Sequence, residues 1–369
     1  MSKIFNISTA VPSFKHRQQD IAGFMAEVYR QEFGQDVERK MKLLYERSGI
    51  HSRYSVLPDY TLSHNSRSFM PEEPAKKSWP DVSQRLSVFE SNAGELAAQA
   101  LQRSFDVLES KSEVTHLITV SCTGISAPGL DIDIIRLMQL DTDIDRTSVN
   151  FMGCYAAIHG LKQADYICRS DPKAIVALVC VELCTLHFQN EADKDHQTAN
   201  MLFGDGCASC LVMGDDVAKK YAQHLSLEIK GFYSDLIFNG LKDMAWHITP
   251  RGFEMVLSSY IPDLIKKDIS QLLERALKKF NVDKENIEHW AIHPGGKKIL
   301  EAVNNALSLR SDDLNESYDI LSNYGNMSSA TILFVIKQIL ENSSSSRHLT
   351  FGVAFGPGLT LESILLEHV

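Results

Sequence analysis

The stretch VNFMGCYAAIHGLKQAD, residues 149–165, joins an apolar segment to a helical one through a glycine and a single cysteine. The residues before Gly153 predict a strand, and the apolar spacing after Cys154 predicts a helix. A thiol at the start of a helix lies near free backbone N–H groups and the positive end of the helix dipole, which stabilise a thiolate. Cys154 is therefore the candidate nucleophile, whereas most of the other cysteines lie in apolar strand sequence and are expected to be core residues.

Strand and helix patterns alternate on both sides of this junction. Helical spacing is found over residues 18–48, 93–108, 130–140 and 258–280, and strands are predicted over 116–122, 174–183 and 289–295. Residues 318–340 predict a strand, a turn and a helix, so that Asn326 at the turn and Cys154 would occupy comparable junctions. This rhythm predicts an α/β protein with buried sheets. The repeated plan predicts a duplicated fold with halves at 1–220 and 221–369, and a boundary near residues 213–226.

Composition narrows the class of protein. The chain has 369 residues and is 44% hydrophobic, enough for a large core. Seven cysteines and an N-terminal stretch without a secretory h-region predict a reducing cytoplasm and no disulfides. No apolar run approaches the roughly 20 residues of a membrane span, so a soluble protein is expected. The formal net charge of -10 argues against nucleic acid as a partner, because phosphate-backbone binding requires a dense basic face.

Two polar clusters outside the cysteine junction offer other kinds of site. The stretch ERKMKLLYERSGIHSRY, residues 38–54, and the pair Lys297 and Lys298 could bind a small anion, although a solvated helix face is the simpler explanation of these charges on their own. His187 and His196 flank an acidic loop, but their spacing fits no compact ligand pattern. No metal site is therefore predicted.

A nucleophilic cysteine needs a base or a cationic partner. His293 closes a predicted strand just before Pro-Gly-Gly, where its imidazole can project into a cleft. Asn326 lies in NYGNMSSA, and its amide can donate a hydrogen bond. These residues are far apart along the chain, so only the fold can bring them to Cys154.

Five motifs in order resemble the type III polyketide synthases, the chalcone-synthase family of thiolase-fold condensing enzymes. They are GCYAAIHGLK at 153–162, LFGDG at 202–206, IHPGGKKIL at 292–300, YGNMSS at 324–329 and AFGPGLTLES at 354–363. The resemblance covers nearly the whole chain. It implies a thiolase-like duplicated α/β fold, layered αβαβα, with two mixed sheets and a buried helix after the nucleophile.

The resemblance also implies a role for each candidate residue. Cys154 would accept an acyl group from a starter CoA thioester, with its thiolate paired to His293. His293 and Asn326 would donate hydrogen bonds to the thioester oxygen of malonyl-CoA and stabilise the enolate formed when carbon dioxide leaves. These residue types suit the chemistry, because a cysteine thioester stays reactive towards carbon nucleophiles and fixed donors stabilise a developing oxyanion.

Further residues shape the expected cavity. Phe203 matches the family's aromatic gate, and Trp246 stands where a second gating phenylalanine is usual. Cys184 and His187 replace threonines of plant chalcone synthases, and we hypothesise that His187 narrows or polarises the chamber, unless it simply caps a strand. The remaining assignments are Ser328 in the pocket and the loop Gly356, Pro357 and Gly358 beside the site.

CoA binding and assembly follow from the same resemblance. Lys40 and Arg47 match two CoA-phosphate contacts, Leu43 stands where another cation is usual, and Lys298 is an additional candidate. The family acts as a homodimer, in which a methionine of chalcone synthases enters the partner's cavity; Ala127 stands at that position here. Malonyl-CoA and an acyl-CoA starter are the expected substrates, and no cofactor is expected.

The predicted product is a pyrone or phenolic ring made by iterative extension. A single-round condensing enzyme like ketoacyl synthase III is the nearest alternative, since it shares the Cys-His-Asn set. A papain-type hydrolase would use a similar thiolate–imidazolium pair, and a non-catalytic acyl-CoA-binding scaffold would need neither. No cysteine follows Cys210, which disfavours a degradative thiolase with a second catalytic cysteine.

Overall fold

The computed structural model describes residues 2–63, 66–70, 79–191, 193–258, 261–343 and 347–369. Within these residues the α-helices are α1 Gln18–Phe33, α2 Gln35–Glu46, α3 Val82–Ser104, α4 Leu130–Met138, α5 Ala156–Ser170, α6 Lys194–Leu202, α7 Asp215–Ala218, α8 Ile261–Phe280, α9 Lys297–Leu307, α10 Asn315–Tyr324 and α11 Thr331–Asn342. The strands are β1 Lys3–Ala10, β2 Phe14–Arg17, β3 Ser52–Ser55, β4 His116–Ser121, β5 Asp145–Asn150, β6 Ile175–Leu183, β7 Asp205–Met213, β8 Ser226–Leu236, β9 Met244–Thr249, β10 Gly252–Leu257, β11 Ile287–Ile292, β12 Leu349–Gly356 and β13 Thr360–His368.

Nine of these strands form one mixed sheet in the order β11-β12-β13-β8-β1-β7-β6-β4-β5. Strand β1 joins the two halves, because Lys3 pairs with Met213 on β7 and with Glu228 on β8. Hydrogen bonding therefore unites the two sheets that the resemblance implies. Residues 213–226 connect β7 to β8 and include α7; the division of the chain at residue 220 stays a prediction.

Both faces of the sheet are covered, which explains why β6 is buried along its whole length and is apolar except at Glu182. Alternate side chains of a strand point to opposite faces. Ile175, Ala177, Val179 and Val181 belong to one hydrophobic cluster, and Val176, Leu178 and Cys180 belong to the other. The second cluster contains α5 and α11 together with residues of strands from both halves. The helix after the nucleophile is thus buried between β layers, and the expected thiolase-like α/β class is confirmed.

Two sequence predictions are corrected by the structure. The helical stretch 18–48 is two helices, since Gly34 between them has a φ of +87, a conformation that glycine adopts readily. The strand predicted after residue 318 is wrong, because Asn315–Tyr324 is helix α10, which buries Ser317, Ile320 and Leu321 at helical spacing. Asn326 therefore follows a helix and precedes a short 3₁₀ helix, Ser328–Ala330, so its junction differs from that of Cys154.

All seven cysteines are buried, and none of them forms a disulfide bond. Among the described residues, none of the helices combines the length and the apolar character needed to cross a bilayer.

Helix α5 packs closely on the sheet through Gly160. A Cβ atom at Gly160 would lie 2.7 Å from Leu178 Cδ1 and 3.2 Å from Val120 Cγ2. We expect Gly160→Ala to lower the free energy of unfolding by about 1–3 kcal/mol, because overpacking displaces core side chains. Urea denaturation provides the measurement.

The matched control for this prediction is Gly23→Ala in the exposed face of α1, where a Cβ would meet nothing within 4 Å. This change should raise the free energy of unfolding by about 0.4–1 kcal/mol. Equal effects at the two glycines would contradict close packing of α5.

Candidate active site

Cys154 is held at a tight turn between β5 and α5. Phe151 and Gly153 have φ values of 61 and 85, and α5 begins at Ala156. A Cβ atom on Gly153 would lie 2.2 Å from Pro357 Cδ, so only glycine allows the turn to pack against the loop from the second half. The predicted position of a thiol just before a helix is observed, and Cys154 is 8% exposed.

The loop at residues 356–358 lies directly against the nucleophile turn. A Cβ on Gly356 would be 3.4 Å from Cys154 N and 2.5 Å from Tyr155 Cδ1. Pro357 lines the same cavity as Cys154. Gly358 has a φ of 75 and lies farther out, beside Leu241. The predicted glycine loop is therefore beside Cys154, with Gly356 making the close approach.

His293 follows β11 and is held by its backbone N–H, which donates to Val353 O at 2.9 Å. The residue is 1% exposed. Neither ring nitrogen of His293 has a hydrogen-bond partner within the described part of the chain. A buried imidazole without partners is unusual, and it leaves one donor and one acceptor available to a substrate.

Asn326 is fixed by backbone contacts with the end of α6. Its N–H donates to Leu202 O at 2.9 Å, and its carbonyl accepts the N–H of Gly204 at 2.9 Å. Its side-chain Oδ1 accepts the N–H of Ser328 at 2.9 Å and lies 4.0 Å from Cys154 Sγ. Because Oδ1 is used in this way, Nδ2 is the amide group suited to donate to a substrate oxygen.

The three residues face one cavity of about 550 Å³, mouth included. The other predicted site residues in its wall are Phe203, Trp246, Cys184, Ser328 and Pro357. The sequence interpretation missed Cys122, Thr123, Met244, Met255, Leu257, Ile299 and Phe355. Four of the wall residues lie on the β9–β10 hairpin, where Met255 pairs with Trp246 and Leu257 with Met244. Their alternation along two short strands was the signal that could have found the missed methionines and leucine.

Burial controls the protonation of the site. Burial raises the pKa of the Cys154 thiol to about 12, and hydrogen bonding with Ser328 and Asn326 only partly opposes it. Burial also lowers the pKa of His293 to about 3. Both groups are therefore favoured in their neutral forms near pH 7, and the thiolate–imidazolium pair implied by the resemblance stays a prediction.

Trp246 and His187 are both tied to the loop that follows β4. Trp246 Nε1 donates to Cys122 O at 2.8 Å. His187 Nε2 donates to Thr123 O at 2.6 Å, and its Nδ1 accepts the N–H of Phe253 at 3.1 Å. The imidazole also stacks on the Phe253 ring, with centroids 4.3 Å apart.

His187 therefore differs from a polar group that faces the chamber. Burial lowers its pKa to about 3, and both nitrogens are occupied by backbone groups, so His187 has no free nitrogen to polarise the chamber. It is outside the wall of the cavity around Cys154 and lines a second cavity of about 380 Å³, mouth included. The two cavities share Cys184, Phe203, Trp246 and Met255, which form the partition between them.

The basic residues lie outside the catalytic cavity. Lys40, Arg47 and Lys298 are exposed, and Lys40 lines an open groove along α2 with Leu43. The turn after Arg47 packs on the start of α9, since a Cβ on Gly49 would lie 3.2 Å from Lys297 Cδ. Arg47 and Lys298 thus belong to adjoining elements, while Lys40 is about two helical turns away. Among the described residues, no three histidine, cysteine or acidic side chains are arranged to hold a metal.

Two family models match the chain. The N-terminal domain of chalcone and stilbene synthases matches residues 1–216, and the C-terminal domain matches residues 228–369. The chain belongs to the chalcone and stilbene synthase family. It is thus a type III polyketide synthase, a condensing enzyme of the acyltransferase kind.

Individual relatives agree with this family. The alpha-pyrone synthesis polyketide synthase-like Pks18 of Mycobacterium tuberculosis is 29% identical over 367 residues, 99% of this chain and 90% of that protein. Probable polyketide synthase 1 of Dictyostelium discoideum is 28% identical over 374 aligned positions, which span 100% of this chain but only 11% of that much longer protein.

Solved structures show the same architecture. The C-terminal type III polyketide synthase domain of Steely1, a type I/III hybrid from Dictyostelium, has a TM-score of 0.89 at 27% identity and covers 100% of this chain and 99% of its own. PKS-I from the brown alga Ectocarpus siliculosus has a TM-score of 0.90 at 26% identity, covering 100% and 98%. A papain-type hydrolase is excluded by this fold.

The raised pKa of Cys154 makes a prediction for the free chain. Because thiolate forms only as pH approaches about 12, alkylation of Cys154 by iodoacetamide should be slow at pH 7 and still rising at pH 10. Removing the opposing hydrogen bond with Ser328→Ala should slow alkylation at pH 9 by about 3- to 10-fold, equivalent to roughly 0.5–1 pKa unit. Mass spectrometry of the Cys154 peptide gives both rates; an unchanged rate in the variant would show that Ser328 does not stabilise the thiolate.

Proposed function

We propose that this chain loads an acyl starter from CoA onto Cys154 and extends it by iterative decarboxylative condensation with malonyl-CoA. Cyclisation would then release a pyrone or phenolic product. The observation that carries the proposal is the arrangement of Cys154, an unpartnered His293 and Asn326 around one buried cavity. The name of the Mycobacterium relative, which includes alpha-pyrone synthesis, supports a pyrone among the possible products.

Loading begins with a neutral thiol and a neutral imidazole. His293 takes the proton as Cys154 Sγ attacks the starter thioester carbonyl, and the CoA sulfur leaves as the new thioester forms. The proton held by His293 then passes to the departing CoA thiolate, so the imidazole is neutral again. Forming two charges in a desolvated site is costly, and their mutual attraction offsets part of that cost.

Decarboxylation requires a hydrogen-bond donor to the thioester oxygen rather than a strong acid. The carbon–carbon bond to the malonyl carboxylate breaks, carbon dioxide leaves, and the electron pair moves onto the thioester oxygen as an enolate. A neutral His293 N–H and Asn326 Nδ2 can both donate to that oxygen without protonating the carbon. The lowered pKa of His293 suits this role, because the ring stays neutral near pH 7.

Condensation closes the cycle. The enolate carbon attacks the acyl thioester on Cys154, forming a carbon–carbon bond and releasing the Cys154 thiolate, which takes the extended chain back from CoA. The apolar walls contributed by Phe203, Met244, Met255 and Leu257 exclude water that would protonate the enolate. Every step uses CoA thioesters as substrates and this chain's own side chains, so we propose that no resident cofactor is needed.

We also propose that the phosphates of CoA bind near the meeting point of α2 and α9. Arg47 and Lys298 are exposed there, and the contact of Gly49 with Lys297 keeps the two elements together. Cationic side chains suit phosphate oxygens, and His293 and Gly295 lie just before this start of α9. Lys40 would contribute a weaker contact from farther along α2.

The proposal is tested with isotopically labelled malonyl-CoA and a panel of acyl-CoA starters. We expect multiply labelled pyrones or phenolic rings in liquid chromatography and mass spectrometry, and none with Cys154→Ala. Cys168→Ala is the matched control, because Cys168 is buried like Cys154 but belongs to α5 and lies outside the cavity wall. It should make the same products as the unchanged protein.

Other outcomes would redirect the assignment. One labelled two-carbon extension per product would identify a single-round condensing enzyme. A complete lack of Cys154-dependent product with every starter would favour an acyl-CoA-binding scaffold.

We propose further that the chain forms a homodimer through β5. This strand is at one end of the nine-stranded sheet and is exposed at five of its six positions. Such an edge presents unpaired backbone groups to a partner strand. Ile125, Ile132 and Leu137 nearby in sequence are 41%, 38% and 42% exposed and supply apolar surface.

Light scattering after size exclusion tests this assembly. We expect a mass near twice 41.4 kDa and a shift toward monomer for Ile125→Lys with Ile132→Lys, because desolvating two lysines opposes association. Leu225→Lys, at a leucine that is 71% exposed outside this region, is the control and should leave the mass unchanged. A monomer at all concentrations would refute the dimer.

A further inference from the structure

Glu182 is a buried carboxylate for which the condensation steps have no use. It is the next-to-last residue of β6 and is 0% exposed. Burying a carboxylate in apolar surroundings is unfavourable unless donors surround it. Its buried position at the end of an internal strand of the sheet therefore needs an explanation in terms of the groups that it holds.

The carboxylate accepts hydrogen bonds from two separate parts of the chain. Oε2 accepts the N–H of Cys122 at 3.0 Å and the hydroxyl of Thr123 at 2.9 Å. Oε1 accepts the hydroxyl of Ser329. Cys122 and Thr123 follow β4, whereas Ser329 belongs to the 3₁₀ helix before α11.

Each of these parts holds one catalytic residue. Cys122 Sγ accepts the N–H of Gly153 at 2.9 Å, which fixes the residue next to Cys154. On the other side, Ser328 N–H binds Asn326 Oδ1 at 2.9 Å, and Ser329 is the next residue. A single carboxylate thus connects the turn that holds Cys154 to the turn that holds Asn326. Cys154 Sγ and Asn326 Oδ1 are 4.0 Å apart.

We propose that Glu182 is a positioning residue that holds Cys154 and Asn326 in register for the condensation and restrains thiolate formation through its negative charge. The first part rests on the proposed function, whereas the second concerns the thiol alone.

The electrostatic environment agrees with the second part. Burial is the largest cause of the raised pKa of Cys154, and the charge of Glu182 adds to it. Burial also raises the pKa of Glu182 to about 7, against the hydrogen bonds that it accepts. Burial is also the largest cause of the raised pKa of the neighbouring thiols, and the charge of Glu182 adds to it at Cys122, Cys180, Cys184 and Cys207. His293, the base that faces the cavity, is neutral over the same pH range.

Two substitutions distinguish the positioning role of Glu182 from the effect of its negative charge on Cys154. In Glu182→Gln the amide oxygen can accept from Cys122 and Thr123, and the amide nitrogen can donate to the rotated hydroxyl of Ser329. We expect kcat within about 3-fold of the unchanged protein, with alkylation of Cys154 by iodoacetamide at pH 8 at least 3-fold faster. Glu182→Ala loses all three contacts, so kcat should fall at least 30-fold while KM for malonyl-CoA changes less than 3-fold. Alkylation should be faster still, because the loosened turn exposes the thiol.

The control is Glu362→Gln, at a second buried carboxylate on β13, which binds Lys162 of α5 and lines neither cavity. It should leave kcat and Cys154 alkylation unchanged. A folded Glu182→Ala protein with kcat within 2-fold and unchanged alkylation would overturn the proposal.

Two further outcomes are decided in the same assay. If Glu182→Ala does not fold, Ser329→Ala removes only the Oε1 contact: a kcat about 10-fold lower supports the proposal, and an unchanged kcat overturns it. If the unchanged protein makes no Cys154-dependent product, the proposed function fails, and alkylation alone decides: faster reaction in the Glu182 variants supports the restraint, whereas equal rates reject it.

Discussion

The contact between Gly153 and Pro357 is the constraint on which the active site depends. Cys154 comes from the first half of the chain, and the loop beside it comes from the second, so the halves must approach to backbone distance there. A side chain at residue 153 would push them apart. The cavity, the imidazole of His293 and the amide of Asn326 all lie along this seam, and their geometry follows from how closely the halves meet.

Close approach also removes water, and desolvation then determines the chemistry. A thiol and an imidazole that would be reactive at a surface are both held neutral in this cavity. That state is suited to a donor that must stabilise an enolate without protonating it. In the same desolvated cavity, each charged intermediate is stabilised only by hydrogen-bond donors and opposite charges that are already in position. A small displacement of the turns that hold these groups therefore changes its stability strongly.

The sequence located the turn that holds Cys154 and the class of fold because both depend on local patterns. A Gly-Cys turn between a strand and a helix is visible in a few residues, as is the histidine that follows β11. The secondary structure before Asn326 was harder to predict, because the sequence of residues 318–324 is compatible with a strand or a helix. Packing through Ser317, Ile320 and Leu321 selects the helix.

The sequence gives no sign of a role for Glu182, because the groups that donate hydrogen bonds to this carboxylate are about 60 and 147 residues away along the chain. His187 was found, but its hydrogen bonds to Thr123 O and Phe253 N depend on tertiary contacts that its neighbours in sequence do not reveal.

The position of β1 has a consequence for how the molecule is made. Residues 3–10 emerge early during synthesis, yet they pair with β7 and β8, which begin at residues 205 and 226. The central ladder cannot close until more than half of the chain has been made, and such long-range pairing slows folding. An uncovered β1 is meanwhile an aggregation-prone edge that a nascent-chain chaperone could shield. Expressing the two halves as separate polypeptides would leave the second without the strand that borders β8, so co-expression would have to rebuild a sheet rather than dock two finished domains.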